Sequence, residues 1–256
     1  MPSSPNPFVW CELMTTDTVS ATEFYCSVIG WTARDSGLGK PYTILSAGET
    51  GVGGLMALPD RAREAGARPG WMGYIGVSDV DAFAARIREA RGRVHHDAED
   101  IPEVGRFAVV ADPQGAPFVL FQPSRAEPPP RAPAGTPGHV GWHELQANNA
   151  EEAFAFYASL FGWTKAQAID MGAMGVYQLF ATGGEPVGGM MTRCEAMPGP
   201  FWLYYFNVDG IDAAASRVKD RGGRITNGPL QVPGGSWIIQ CLDPQGAMFA
   251  MVSATR

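Results

Sequence analysis

Short apolar runs and one-sided helical patterns alternate along the chain, and they do so in the same order twice. In the first half, Phe8 to Met14 reads as a strand, and the apolar and aromatic positions of Val19 to Ile29 favour one helical face. Asp17 or Thr18 supplies the N-cap of that helix and Gly30 its stop. Apolar runs at Tyr42 to Ala47 and Val52 to Ala57 predict two more strands. A second group opens with a strand at Trp71 to Val77 and continues in a helix from Val80 to Arg91 that Gly92 ends. It closes with strands near Arg93 to His95, Arg106 to Ala111 and Pro117 to Gln122.

The pattern then starts again, with a period of about 131 to 135 residues. FVWCELMTTDTVSATEFYCSVIGW, from Phe8 to Trp31, answers to HVGWHELQANNAEEAFAFYASLFGW, from His139 to Trp163. Trp10 pairs with Trp142, Glu12 with Glu144, and Phe24-Tyr25 with Phe156-Tyr157. Further along, VGGLM (Val52 to Met56) pairs with VGGMM (Val187 to Met191), VSDVDA with VDGIDA, and ADPQGAPF with LDPQGAMF. This is a tandem duplication, with a first domain at 5–123 and a second at 137–254. The join at 124–136 is proline-rich and reads as an extended connector. DPQG, at Asp112 to Gly115 and Asp243 to Gly246, has hairpin spacing and turn chemistry in all four residues.

Composition narrows the function classes. Thirty-two glycines and 21 prolines in 256 residues are too many for a helical bundle and suit many short strands joined by turns. The net charge is −7 with no Lys/Arg cluster, so no nucleic-acid partner is expected. No apolar stretch reaches the roughly 18 residues of a membrane span, and the first residues lack the pattern of a secretory signal; a cytoplasmic protein without a membrane partner is expected. Cys11, Cys26, Cys194 and Cys241 are scattered with no zinc-ligand spacing and read as free thiols. No phosphate loop and no nucleophile elbow is present.

In both copies a strand runs into a capped helix ending FY…GW, a VxDVD-like element opens a second unit, and a DPxG turn precedes an apolar strand. With these features the chain resembles the vicinal oxygen chelate superfamily of glyoxalase I, bleomycin-resistance proteins and extradiol dioxygenases. It looks like two-domain glyoxalase-like proteins often labelled hydroxylases. The resemblance implies an α+β fold: tandem domains, each of two βαβββ modules, forming a curved mixed sheet of eight strands around a cleft. It also implies where metal ligands would stand. Those positions hold Trp10, Met56, Trp71 and Val119 in the first copy and Trp142, Met191, Trp202 and Ala250 in the second. A catalytic metal needs about three nitrogen or oxygen ligands, so no metal and no cofactor is expected.

Strand alternation places Glu12 and Met14 on the face of Trp10, and Glu144 and Gln146 on the face of Trp142. In the same register Tyr204 follows Trp202 towards the cleft, while Cys11 and His143 point away. Two accounts of the tryptophans stay open: a slot that stacks a planar or apolar ligand, with the indole N–H as a polar handle, or rings that fill a disused cavity. Glu12 and Glu144 are either catalytic acid–base groups or carboxylates satisfied within the domain. The leading expectation is metal-free binding of a small apolar or aromatic molecule at Trp10, Met14, Trp71, Trp142, Gln146, Trp202 and Tyr204. The alternatives are a metal-independent or atypical-ligand lyase or hydroxylase using Glu12 or Glu144, and a structural or interaction protein with filled clefts. A monomer or a symmetric homodimer is expected.

Overall fold

The computed structural model describes residues 6–124 and 132–256. Most of the expected join, 125–131, lies outside the described residues. The first copy holds β1 (Phe8–Thr15), α1 (Thr18–Ile29), β2 (Thr32–Asp35), β3 (Thr43–Ala47) and β4 (Thr50–Ala57), then α2 (Asp60–Glu64), β5 (Gly70–Gly76), α3 (Val80–Glu89), β6 (Arg93–Ile101), β7 (Gly105–Ala111) and β8 (Pro117–Pro123). The second repeats the order without a counterpart of α2: β9 (Val140–Ala147), α4 (Ala150–Phe161), β10 (Thr164–Asp170), β11 (Val176–Ala181), β12 (Pro186–Thr192), β13 (Phe201–Asn207), α5 (Ile211–Asp220), β14 (Arg224–Gln231), β15 (Trp237–Leu242) and β16 (Met248–Ser253).

Hydrogen bonding orders the strands β2-β3-β4-β1-β5-β8-β7-β6 and β10-β11-β12-β9-β13-β16-β15-β14. The fold is therefore α+β, with two eight-stranded mixed sheets of identical topology. In each, the first strand of a module pairs parallel to its last, as β1 does with β4 and β13 with β16. Strand β2 and helix α2 escape the hydrophobic pattern because every residue of β2 is exposed and α2 buries none.

Local signals explain the helix ends. The Asp17 side chain accepts from Ser20 N, that of Asp79 from Ala82 N, and that of Asn149 from Glu151 N and Glu152 N. Gly30 and Gly162 close α1 and α4 in the left-handed conformation, at φ 88° and 70°. At the end of α3 the left-handed residue is Arg91, φ 63°, rather than the expected Gly92. Its repeat partner is Gly222, φ 80°.

Compactness partitions the chain differently from the repeat. One unit, here the Glu12 unit, gathers Trp10–Met72, the described residues from 132 to Gly141, and Leu203–Arg256. The other, the Glu144 unit, gathers the described residues up to Val9, those from Gly73 to Ser124, and Trp142–Trp202. Each unit thus takes one module from each copy. In the Glu12 unit α1 packs against α5, and Phe24, Tyr25, Trp31, Trp71, Phe206 and Phe249 form an aromatic core. In the Glu144 unit α3 packs against α4, over Phe118, Tyr157, Phe161, Trp163, Phe180 and Trp202.

Cations from the partner helix cover two helix ends. Arg217 Nε donates to the Val28 carbonyl in the last turn of α1, and Arg86 Nη2 to the Ser159 carbonyl in that of α4. Trp31 Nε1 donates to the Gly138 carbonyl and Trp163 Nε1 to that of Asn6, which pins the segments leading into β9 and β1.

Candidate functional site

Trp10 and Glu12 share a face of β1, and a side chain from β3's leading edge joins them. Trp10 Nε1 donates to the Tyr42 hydroxyl at 3.1 Å, and that hydroxyl is hydrogen-bonded to Glu12. The second copy repeats the chain on β9: Trp142 Nε1 donates to Tyr177 Oη at 2.7 Å, and Tyr177 Oη donates to Glu144 Oε2 at 3.0 Å. Gln146 Nε2 adds a donor to Glu144 Oε1 at 2.8 Å. The carboxylates are buried, Glu12 at 3% and Glu144 at 7% exposure, while Trp10 and Trp142 remain half-buried. Burial, then the charge of Glu12, pushes the Tyr42 phenol well above its ordinary range, so it remains a proton donor.

Sequence reasoning missed Tyr42 and Tyr177. Their signal lay in the glycine pairs. A β-carbon on Gly54 would run into the Tyr42 ring and hydroxyl, and one on Gly189 into the Tyr177 ring. The phenols lie across bare backbone at the second glycine of each VGG, while the first, Gly53 or Gly188, lies against the Cys11 or His143 carbonyl.

Trp71, Trp202 and Tyr204 lie elsewhere than expected. Trp71 is 6% exposed and donates from Nε1 to Tyr25 Oη at 2.9 Å, so it faces α1. Trp202, 4% exposed, donates to Tyr157 Oη on α4 at 3.0 Å. Tyr204 shares a strand face with Phe206, which packs on Trp31 and Trp71. The phase of β5 and β13 is therefore shifted by one residue, placing Met72 and Tyr74, and Leu203 and Tyr205, on the opposite face. WMGYIGV and FWLYYFN are apolar on both faces, so alternation carried no information about which side each residue takes.

Those interior tryptophans begin a second repeated chain. Tyr25 Oη donates to Asp243 Oδ2 at 3.1 Å, and Tyr157 Oη to Asp112 Oδ2 at 3.2 Å. Each aspartate also receives backbone N–H groups of its own DPQG turn: Gln114, Gly115 and Ala116 on Asp112 Oδ1, Gln245 and Ala247 on Asp243 Oδ1. The motif is a turn, as its residues indicate, and in addition anchors the other copy's helix within the same unit. Burial raises both carboxyls above the usual range, against the pull of these donors.

Six of the seven tryptophans spend their N–H inside the chain. Trp10 and Trp142 consequently offer a partner a ring face and not a hydrogen bond. The thiol of Cys11 is pushed far up by burial and by Glu12, which leaves it inert as a nucleophile. His143 stacks on Phe8 with centroids 4.1 Å apart, and its Nδ1 meets the Val187 carbonyl. His96 pairs with Glu99 and stacks on Phe107. Among the described residues no group of three His, Cys, Asp or Glu side chains is placed to hold a metal, and no helix is long and apolar enough to cross a membrane. At the positions where the fold places metal ligands stand indoles, thioethers and aliphatic groups, even after the shift to Met72 and Leu203. That donor set does not fit a zinc, iron or manganese centre. A surface pocket of about 370 Å³ lies apart from these residues, lined by Ile29, Gly30, Ala47, Gly138, His139 and Asp209 among others.

Comparison with known proteins agrees with this architecture. The family model described as Glyoxalase/Bleomycin resistance protein/Dioxygenase superfamily matches twice, at 8–120 and 136–251. "Putative glyoxylase CFP32" of Mycobacterium tuberculosis is 33% identical over 248 residues, covering 95% of this chain and 93% of its own. "Anthracycline biosynthesis protein DnrV" of Streptomyces peucetius is 31% identical over 265 residues, covering 97% and 94%. Among solved structures, the Mn(II)-bound glyoxalase from Novosphingobium aromaticivorans superposes with TM-score 0.65 at 16% identity, over 99% of this chain and 83% of that one. Homoprotocatechuate 2,3-dioxygenase from Brevibacterium fuscum, in complex with 3,4-dihydroxyphenylacetate, gives 0.66 at 17%, over 98% and 82%. At such identities the structural likeness speaks for the fold.

Proposed function

The chain belongs to the glyoxalase/bleomycin resistance protein/dioxygenase superfamily, and we propose that it binds a small planar aromatic molecule without a metal. The observation that carries this reading is the repeated Trp–Tyr–Glu chain. It consumes the indole N–H, leaves the ring half-buried, and sets a buried carboxylate beside it. A ring face next to a hydrogen-bond acceptor suits a flat ligand with a polar edge, held by stacking and one directional bond. The relatives named for anthracycline biosynthesis favour the same class, since anthracyclines contain fused planar rings.

Acid–base use of Glu12 or Glu144 is the second reading, favoured by the phenol aligned on each carboxylate. Titrating the protein with 1,8-dihydroxyanthraquinone in EDTA, with tryptophan emission as the readout, tests the leading reading. Saturable quenching that survives EDTA is the expected result. Binding that appears only on adding a divalent metal overturns it. Turnover of the probe, abolished in Glu12→Gln or Glu144→Gln, would favour the second reading.

A further inference from the structure

The surface pocket of about 370 Å³ lies wholly within the Glu12 unit. The carboxyl end of α1, the turn joining β3 to β4, the segment leading into β9 and the residue before the cap of α5 enclose it. Hydrogen bonds to the backbone fix these walls. Gly138 N donates to the Asn207 carbonyl at 2.8 Å, the Gly138 carbonyl accepts from Trp31 Nε1 at 2.8 Å, and the Asp209 carbonyl takes the hydroxyls of Ser253 and Thr255. A β-carbon on Gly138, φ 80°, would run into Ala47 and the Trp31 indole, so the segment packs directly on both. The cavity is therefore formed before any ligand enters, and its size suits a small molecule.

Two polar side chains of the lining, the exposed Asp209 carboxylate and the half-buried His139 imidazole, make no hydrogen bond or ion pair among the described residues. The repeat shows that neither position is needed for the fold. VSDVDA answers to VDGIDA, so Asp79, which caps α3 by accepting from Ala82 N, has its counterpart in Gly210, which makes no side-chain bond to α5. Asp209 stands one place earlier, where the first copy has Ser78, and the counterpart of His139 is Pro7. The carboxylate and the imidazole thus occur together at this cavity and not at the equivalent positions of the repeat. Asp209 is the one charged side chain in the lining; Arg217, at the carboxyl end of α1, spends its Nε on the Val28 carbonyl and does not line the cavity. Burial holds the His139 imidazole below its ordinary value, which keeps it neutral near pH 7 with one ring nitrogen as an acceptor.

We propose that this pocket is a second binding site, separate from the Trp–Tyr–Glu chains, and that it takes a small protonated amine on a compact aliphatic skeleton. The ammonium pairs with the Asp209 carboxylate and donates a further hydrogen bond to His139, while Ile29, Ala47 and Pro137 cover the carbon skeleton. An anion would meet a carboxylate with no cation in the lining to offset it, and an alcohol would forgo the ion pair.

The test is calorimetric titration of the full chain with cyclohexylmethylamine at neutral pH, in parallel with cyclohexylmethanol and cyclohexanecarboxylate. A saturated ring offers no aromatic face to Trp10 or Trp142, so the result is independent of the aromatic-binding reading. The wild type binds one equivalent of the amine, binds the alcohol about fivefold more weakly and gives no saturable heat with the carboxylate. Asp209→Ser, which copies Ser78, and Asp209→Asn, which keeps the side chain's shape, each weaken the amine about fivefold and leave thermal unfolding unchanged. Raising the salt concentration narrows the gap between amine and alcohol. Alcohol or carboxylate bound as tightly as the amine, unweakened binding in both Asp209 variants, or no saturable binding of the amine by the wild type each overturn the proposal.

Discussion

Around Glu12 the neighbouring position on the strand is a half-buried methionine; around Glu144 it is a buried glutamine bonded to the carboxylate. Everything else in the two chains matches: the indole donor, the phenol bridge, the glycine under the ring. The interior chains through Tyr25 and Tyr157 match as well, down to the receiving aspartate of the DPQG turn. Duplication has kept the hydrogen-bonded chains that hold each unit together and changed the residue beside the carboxylate on the same strand face. A polar network inside the core is costly to alter in parts, so the interior chains stay alike while a neighbour that only adds a donor to the network is free to differ.

The largest expected effects test the sameness of the interiors. Tyr25→Phe leaves the Trp71 N–H and the Asp243 carboxylate each short of a buried partner, at a cost of about 3 kcal/mol. Tyr157→Phe is expected to cost the same, by chemical denaturation. A gap between them above about 1 kcal/mol breaks the equivalence of the two cores.

A pH series sharpens the same point. Asp112 and Asp243 have folded-state values raised by burial, so the folded protein holds their protons more tightly than the unfolded chain. Their contribution is fully present below the unfolded value of about 3.9 and is lost as pH rises through the folded value. The stability cost of Asp243→Asn, which cannot ionise, is therefore larger near pH 4 than at neutrality. A cost that shrinks on acidification contradicts the raised value.

Next in size, Gly54→Ala and Gly189→Ala drive a methyl into the Tyr42 and Tyr177 rings and are expected to destabilise by about 2 kcal/mol each. They also blue- or red-shift tryptophan emission by breaking the indole–phenol bond. Unchanged emission in both variants removes the claim that glycine seats the phenol. The smallest effects use the repeat as its own control. Arg91→Gly, which copies Gly222, is expected to stabilise by about 1 kcal/mol, because arginine is strained at φ 63°. Thr15→Val removes a buried hydroxyl that has no hydrogen-bond partner, where the second copy has Ala147, and is expected to be neutral or stabilising by under about 1 kcal/mol. A loss of stability at either position shows that the copies have diverged there for a reason.

Much of the fold is legible in the sequence. The repeat, the capped helices ended by Gly30 and Gly162, and the DPQG turns all have local causes written in consecutive residues. The placement of the candidate residues is half legible. Trp10, Glu12, Trp142, Glu144 and Gln146 follow from alternation on strands with one polar face. Trp71, Trp202 and Tyr204 were assigned to the wrong face because their strands are apolar on both sides. Tyr42 and Tyr177 were missed because each sits at or just before the start of a strand, and only its crossing over a glycine on another strand brings it to the glutamate. The pairing of Tyr25 with Asp243 joins residues 218 apart, a relation that no local pattern carries.

The most direct measurement is a crystal structure of the protein grown with 1,8-dihydroxyanthraquinone in EDTA. The expected result is a molecule stacked on Trp10, on Trp142 or on both, with its polar edge towards the neighbouring glutamate. A ring bound away from both indoles, or density only when a divalent metal is added, would contradict metal-free aromatic binding.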